Sequence, residues 1–317
     1  FIVFFIIHDN SYSTEKSSKD SGIISIMYHR FEENKYPSTN IKTTDFKSHL
    51  QIIKDLNYKF ISHKEFIEFI DSKSENKKIL LTIDDGFSSF YKNAWPILKK
   101  EKIPFIIFIN TESVGSPGYM DWEELKEISE SELVHIGNHS HSHGYLVDKS
   151  DDEIRKDIEI SIKLLEEKLG NKTKFFAYPF GEYKNSYKKI VKDLGFNYGF
   201  GQHSGVMDLT KDKFELPRFP INEKYGEIKR FKRILNTIPF PYKKITPNEK
   251  YLNKENNPPK VKITFFPNSP NIKNINCYSN DGGNWKKPNL EFQKQKLIIS
   301  FDEKFLPRRG RINCSLN

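Results

Sequence analysis

Between residues 22 and 239 the chain alternates short apolar runs with amphipathic stretches, and that alternation leaves few folds open. Residues 23–29, 60–62, 79–83, 105–110, 133–136 and 175–178 read as strands, and another begins at 198. Residues 44–56, 63–70, 88–100, 151–169 and 186–194 read as helices, with a further one starting at Asp121. In the first, Phe46, Leu50 and Ile53 fall on one face. Pro96 is expected to bend the 88–100 helix, Asp121 to act as an N-cap and Gly170 to end the long helix before it. Repeated strand–helix units predict an α/β fold, a parallel sheet or distorted (β/α) barrel. The residues with chemical potential all fall just after a strand, the face on which parallel barrels carry their active sites.

After Pro239 the pattern changes. Pro241, Pro247, Pro258 and Pro259 punctuate a linker-like zone, and 261–265 and 296–301 then read as strands, with Asn280-Asp281-Gly282-Gly283 as a turn. This predicts a small C-terminal β-sandwich. The expected organisation is therefore 1–21 as the remnant of a signal or anchor with a polar tether, 22–245 as the catalytic domain, and 246–317 as a β-rich accessory domain. The apolar run 1–7 is too short to cross a bilayer, which takes about 20 residues; a buried strand is the alternative. Cys277 and Cys314 either form one bridge, as an exported protein permits, or remain two buried thiols.

A chain of 317 residues with 36% hydrophobic and 14% aromatic residues can bury a large core, which excludes wholesale disorder. The net charge of +9 comes from scattered lysines and reads as a solvated surface. It is the only feature favouring nucleic acid, since no zinc-finger, helix-turn-helix or stacking motif accompanies it.

Two clusters carry the chemistry. Asp84-Asp85-Gly86 ends an apolar strand, and His139-Ser140-His141-Ser142-His143 puts three of nine histidines into five residues. On the turn that Gly86 permits, both carboxylates can face one pocket, one binding a cation and the other taking a proton. His139 and His143 share a face if the segment turns; all three histidines do if it is extended. One carboxylate and two imidazoles with an open position suit Zn2+, and Co2+ or Ni2+ can substitute.

These segments resemble the signatures of the NodB-homology polysaccharide deacetylases, carbohydrate esterase family four. Thr82-Ile83-Asp84-Asp85-Gly86 is similar to the first motif, Asn138-His139-Ser140-His141-Ser142-His143 to the second, and Phe176-Ala177-Tyr178-Pro179-Phe180-Gly181 to the third. Met27-Tyr28-His29-Arg30 and Leu216-Pro217-Arg218 resemble the branch containing poly-N-acetylglucosamine deacetylases. The resemblance spans roughly residues 22–221 and implies a distorted barrel of the NodB type. It makes Asp84 the general base, and Asp85, His139 and His143 the metal ligands, with His141 a non-ligand. The backbone N–H of Phe180 would hold the oxyanion, and Tyr178, Pro179, Phe180 and Gly181 would line one groove wall. Trp122 reads as a core residue in preference to a sugar platform.

The chain departs from the family pattern twice. Ala177 stands where many members carry the arginine that pairs with the base, and Arg218 is expected to supply that charge. The late Leu-x-x-His motif that supplies the general acid is absent, leaving His29 and His203 as candidates, His29 being preferred. The implied function is metal-dependent N-deacetylation of an N-acetylhexosamine polysaccharide by an exported, periplasmic or extracellular protein with an N-terminal membrane tether. O-acetyl esterase action on acetylated glycan and a non-catalytic glycan-binding module are the alternatives.

Overall fold

The structure is a computed structural model that describes residues 22–69, 77–208, 210–267, 269, 272–308 and 310–316, and the backbone of 2–9. Strand β1 (Ile2–Asp9) is followed by β2 (Ile23–Tyr28), with β3 (Arg30–Phe31) and β4 (Asn40–Ile41) forming a small parallel pair beyond it. Helix α1 (Thr43–Asp55), β5 (Lys59–Phe60), α2 (His63–Phe69) and β6 (Lys78–Asp84) come next. The expected 88–100 helix is two, α3 (Ser88–Asn93) and α4 (Trp95–Glu101), because Pro96 has no N–H to continue the ladder and sits in the first turn of the second. Strand β7 (Phe105–Ile109), α5 (Trp122–Ser129), β8 (Val134–Asn138), α6 (Asp151–Leu169), β9 (Phe175–Ala177), α7 (Asn185–Asp193), β10 (Tyr198–Phe200), β11 (Phe219–Pro220) and α8 (Ile228–Leu235) complete this part.

The strands form one parallel sheet in the order β10-β9-β8-β7-β6-β2-β11, with β5 also on β6. Leu216 bridges to Phe200 just before the chain enters β11, which draws the two edges together into a distorted barrel. Strand parity sorts the core. Leu80, Ile106, Phe108, Phe175, Ala177 and Phe200 pack together inside, whereas Ile79, Leu81, Ile83, Phe105 and Ile107 pack outward with residues of α1, α4, α5 and α8. Asp84 shares the parity of Leu80 and Thr82, so the last residue of β6 points inward. Helices α5 and α6 start with the capping boxes Asp121/Glu124 and Ser150/Glu153, and α6 ends at Gly170 in the left-handed region; the Asp121 cap and the Gly170 stop were expected from the sequence.

Strands β12 (Thr237–Ile238), β13 (Tyr242–Thr246), β14 (Val261–Phe265), β15 (Ile275–Asn280), β16 (Asn289–Gln293), β17 (Lys296–Ser300) and β18 (Gly310–Leu316) build two four-stranded sheets, β12-β1-β18-β15 and β13-β14-β17-β16. Val261, Ile263, Leu297 and Ile299 of one meet Ile275, Ile312, Cys314 and Leu316 of the other, a sandwich core. Sandwich pairing thus already begins at Thr237. Residues 2–9 form strand β1, the alternative that the apolar run left open, parallel to β18 through seven residue pairs and antiparallel to β12. The tether expected before residue 22 lies outside the described residues. Cys277 and Cys314 face each other across β15 and β18 and are bridged. No described helix is long and apolar enough to cross a membrane.

Candidate active site

The end of β6 delivers two carboxylates with different surroundings. Asp84 is fully buried and accepts two charge-assisted hydrogen bonds from Arg218, Nη1 to Oδ1 at 2.7 Å and Nη2 to Oδ2 at 2.8 Å. Arg218 is itself fully buried, and its Nε donates to the Gly201 carbonyl at 2.9 Å. Arg218, the residue expected to supply the charge that position 177 lacks, forms a bidentate ion pair with Asp84. Asp85 turns the chain in the left-handed region at φ 74°, and Gly86 follows at φ 74°; a Cβ on Gly86 would meet Ile109 Cδ1 at 2.8 Å.

Asp85 Oδ1 lies 3.4 Å from His139 Nε2 and 3.2 Å from His143 Nε2, and the three donor atoms all fall within 4.8 Å of one another. His139 Nδ1–H donates to the Ala177 carbonyl at 2.7 Å, which fixes the ring and leaves Nε2 as a lone-pair donor aimed at Asp85. Asp85 Oδ1 and His139 Nε2 are buried without hydrogen-bond partners. Orphaned acceptors facing one another are costly unless a cation sits between them. Tetrahedral ligands about 2.0–2.1 Å from an ion stand roughly 3.3 Å apart, which the Asp–His separations match. The residues present therefore fit a divalent metal ion.

The loop that carries the histidines is held by its backbone. His141 N donates to Asp157 Oδ1 at 2.8 Å, Ser142 N to Asp157 Oδ2 at 3.1 Å, and His143 N to Ser140 Oγ at 3.1 Å. Ser140 and His143 both have positive φ, so this sequence pays strain to turn both imidazoles inward. His141 instead meets Thr111 Oγ1 at 2.9 Å and is not part of the triad.

The chain's likeness to known proteins agrees with this geometry. The polysaccharide deacetylase family model matches residues 71–199. This chain carries a polysaccharide deacetylase domain. A poly-β-1,6-N-acetyl-D-glucosamine N-deacetylase of Staphylococcus aureus is 26% identical over 233 residues, covering 65% of this chain and 80% of that protein. The structure of IcaB from Ammonifex degensii superposes with a TM-score of 0.60 at 25% identity, over 68% of this chain and 97% of that one. The Streptococcus pyogenes deacetylase PplD, solved in complex with acetate, superposes at 0.62 with 24% identity, over 69% and 99%, and shows the shared fold.

Electrostatics in the deacetylase domain keep both aspartates ionised. Burial alone would raise the Asp84 carboxyl, but Arg218 and then His139 outweigh it and hold it below the usual carboxylate range. Burial alone would raise Asp85, but the imidazoles of His139 and His143 beside its carboxylate outweigh it and hold it well below that range. Burial lowers His143, but the Asp85 carboxylate beside it reverses this and leaves it raised. His29, at the end of β2, is lowered by burial, with Asp85 and Asp84 opposing and Arg218 and His139 adding to the effect. Its Nδ1 is buried without a hydrogen-bond partner beside these groups. His203 lines a separate cavity with Tyr183 and Tyr242.

The third segment differs from expectation. Tyr178 does not line the groove: it shares the parity of Phe176 and is fully buried against Tyr183 and Tyr187, at ring distances of 5.0 and 5.1 Å. Pro179 and Gly181 are also buried, and a Cβ on Gly181 would strike Gln202 N at 2.4 Å. Of the four, Phe180 alone reaches the site, its ring 4.7 Å from His143 and edge-on to it. Trp122 packs against the outer core, as expected.

Sequence reasoning missed several wall residues. Phe87 has the Arg30 guanidinium at 3.5 Å and the Tyr119 ring at 4.7 Å, and burial together with the Asp85 carboxylate raises the Tyr119 hydroxyl. Tyr145 stacks on Phe180 at 4.2 Å. The adjacency of Phe87 to Asp85-Gly86 and of Tyr145 to His143-Gly144 was the available signal.

Proposed function

We propose that this chain is a metal-dependent N-deacetylase of an N-acetylhexosamine polysaccharide, with poly-β-1,6-N-acetylglucosamine as the substrate its relatives' names favour. The observation that carries this reading is the triad of Asp85, His139 and His143, with its partnerless inward atoms, beside a second carboxylate that Arg218 keeps ionised.

Asp85, His139 and His143 would hold the ion, Zn2+ suiting this donor set and Co2+ or Ni2+ able to replace it. A divalent cation there would supply Lewis acidity and lower the proton affinity of a water, so that a base as weak as Asp84 would suffice. Asp84 uses the lone pairs its arginine leaves over to accept the proton of the attacking water. The Phe180 backbone N–H donates to the oxygen that becomes negative on the acetamide carbon. His29, entering the step protonated, would donate that proton to the leaving amine, so that acetate and a free amine are produced, and the proton held by Asp84 restores it afterwards. Phe180 and the Arg30–Phe87–Tyr119 wall bound the space for the sugar.

The bridged cysteines support action outside the reducing cytoplasm, in the periplasm or beyond the cell, since disulfides persist in oxidising compartments. The barrel and the β-sandwich are proposed as catalytic and accessory units.

One specific observation favours O-acetyl ester hydrolysis as a second reading: burial keeps His29 poor in protons, and an ester leaving group needs less acid help than an amine. Acetate release from matched N-acetylated and O-acetylated β-linked hexosamine oligomers, by wild type and Asp84→Asn at equal metal occupancy, tests both. Release from the N-acetylated oligomer, reduced at least about a hundredfold in the variant, supports the proposal. Equal rates in the two proteins remove Asp84 as the base, and release from the ester alone replaces deacetylation by the second reading.

A further inference from the structure

The family model ends at residue 199, so the C-terminal sandwich needs its own account. One of its residues reaches toward the active-site wall. The Arg308 guanidinium carbon lies 3.4 Å from the centre of the Tyr145 ring. Phe180 stacks on that same ring at 4.2 Å, and both groups cannot occupy one face, so Tyr145 is sandwiched between them. The row His143–Phe180–Tyr145–Arg308 therefore runs without a gap from a triad imidazole to the sandwich. Arg308 adopts φ 90°, a conformation that costs a non-glycine residue about 1–3 kcal/mol and persists only where its surroundings demand it. Its Nη1 lies 3.9 Å from Asp148 and its Nη2 3.7 Å from the buried Glu182, both on barrel loops.

Behind this contact the barrel loops and the sandwich enclose a cleft of about 420 Å³, within the roughly 300–1,000 Å³ range of small-molecule sites. Its walls are cross-tied: the Tyr251 hydroxyl donates to Asp148 at 2.9 Å, Asn257 Nδ2 donates to the Phe305 carbonyl at 2.9 Å, and Phe305 N donates to Asn257 Oδ1 at 2.8 Å. The lining combines apolar Leu252 and Leu306 with carboxylates, amides and cations. A pyranose ring presents that same mixture, apolar C–H faces edged by hydroxyl and acetamide groups. The lining sets the cations Arg308, Lys254 and Lys304 against the carboxylates Asp148 and Glu182, so most of its charge cancels, which suits a neutral acetylated sugar.

We propose that this cleft, lined by Asp148, Glu182, Tyr251, Asn253, Lys304 and Arg308, is a distal subsite for a further N-acetylhexosamine unit of the polymer whose reacting unit lies at the triad. The identity of the polymer rests on the deacetylase reading; the existence of the subsite does not. The subsite gives the protein a length preference: an oligomer that reaches from the triad past Tyr145 to Arg308 binds more tightly than one too short to do so.

The test is calorimetric binding of a β-1,6-linked N-acetylglucosamine dimer and hexamer to the full chain carrying Asp84→Asn, loaded with zinc, so that no turnover intervenes. The hexamer should bind more tightly than the dimer. Adding Arg308→Ala should weaken the hexamer about tenfold and the dimer far less, the loss expected when an arginine that packs against the bound sugar is truncated. Lys304→Ala, at an exposed position on the cleft wall, should weaken the hexamer severalfold without changing the thermal midpoint, which guards against misfolding in the arginine variant. Equal affinity for dimer and hexamer, or equal losses for both ligands in both variants, overturns the subsite. Acetate release by wild type is measured in parallel: length-dependent binding without any acetate would sink the deacetylase reading and leave the subsite standing.

Discussion

Replacing Arg218 by methionine keeps much of the side-chain volume and removes the cation that sits on Asp84. Two charge-assisted hydrogen bonds are lost, at 2.7 and 2.8 Å, between groups that are both fully buried. At an effective dielectric constant of about 20, charges about 4 Å apart interact by about 4 kcal/mol. An arginine neighbour typically lowers an aspartate by about 1–3 pH units. Without it, burial is the larger influence left on Asp84 and pushes the carboxyl upward. The acid limb of kcat/KM for acetate release, which reports ionisation of the base, should therefore move up by roughly 1–3 pH units.

Stability responds with a change of sign. In the wild type the Asp84 carboxyl is lowered on folding, so its contribution is present above the unfolded value of 3.8 and lost as pH falls through the folded value. In the variant the carboxyl is raised on folding, so stability falls as pH rises above 3.8. Leaving the carboxylate uncompensated should cost about 3–5 kcal/mol at neutral pH. Urea unfolding across pH 4–8 reads this directly, and adding Asp84→Asn should recover most of the loss. An unmoved acid limb together with an unchanged slope of stability against pH would refute the claim that Arg218 keeps the base ionised.

Other expectations follow from the same geometry. His29→Gln should lower acetate release from an amide about a hundredfold more than from an acetate ester, because an amine leaves only when protonated; equal losses on both substrates would remove His29 as the acid. His135 stacks on His63 at 4.1 Å and is pushed down to about 3, by burial first and by His63 second. A histidine lowered on folding stabilises the chain fully above its unfolded value near 6.5, and that stability drains away as pH falls towards 3. The loss between pH 7.5 and pH 5 should be about 2 kcal/mol. Denaturant titrations of wild type and His135→Gln compare the two, and parallel pH profiles would show that the stacked pair is no burden in acid.

The barrel was legible because its strands are short, apolar and separated by 3.6-periodic stretches, and because Gly86 marks where β6 must turn. The candidate triad was legible for the same reason, as Asp85 and His139 follow directly on β6 and β8 and His143 lies on the same short loop. Arg218 lies 134 residues from Asp84, and only the resemblance to a family with an arginine elsewhere pointed to the pair. Tyr178, expected on the groove wall, is placed elsewhere by strand parity. Phe175 and Ala177 face the barrel interior, so Phe176 and Tyr178 must face the helices outside it, where Tyr183 and Tyr187 receive them. The pairing of β1 with β18 joins the two ends of the chain, and no local pattern can announce a partner that far away. Arg308 was hidden likewise, since its role depends on which loop the sandwich meets.

The claim on which the account rests is that Asp85, His139 and His143 share one divalent ion. Zinc-loaded crystals, with anomalous data collected above and below the zinc edge, test it most directly. The account predicts a single strong peak per chain at the triad, about 2.0–2.2 Å from Asp85 Oδ1 and the two Nε2 atoms, and no such peak in Asp85→Asn crystals soaked identically. A fully loaded wild-type chain whose zinc sits on other side chains, or whose triad donors stay apart with no ion between them, would contradict it.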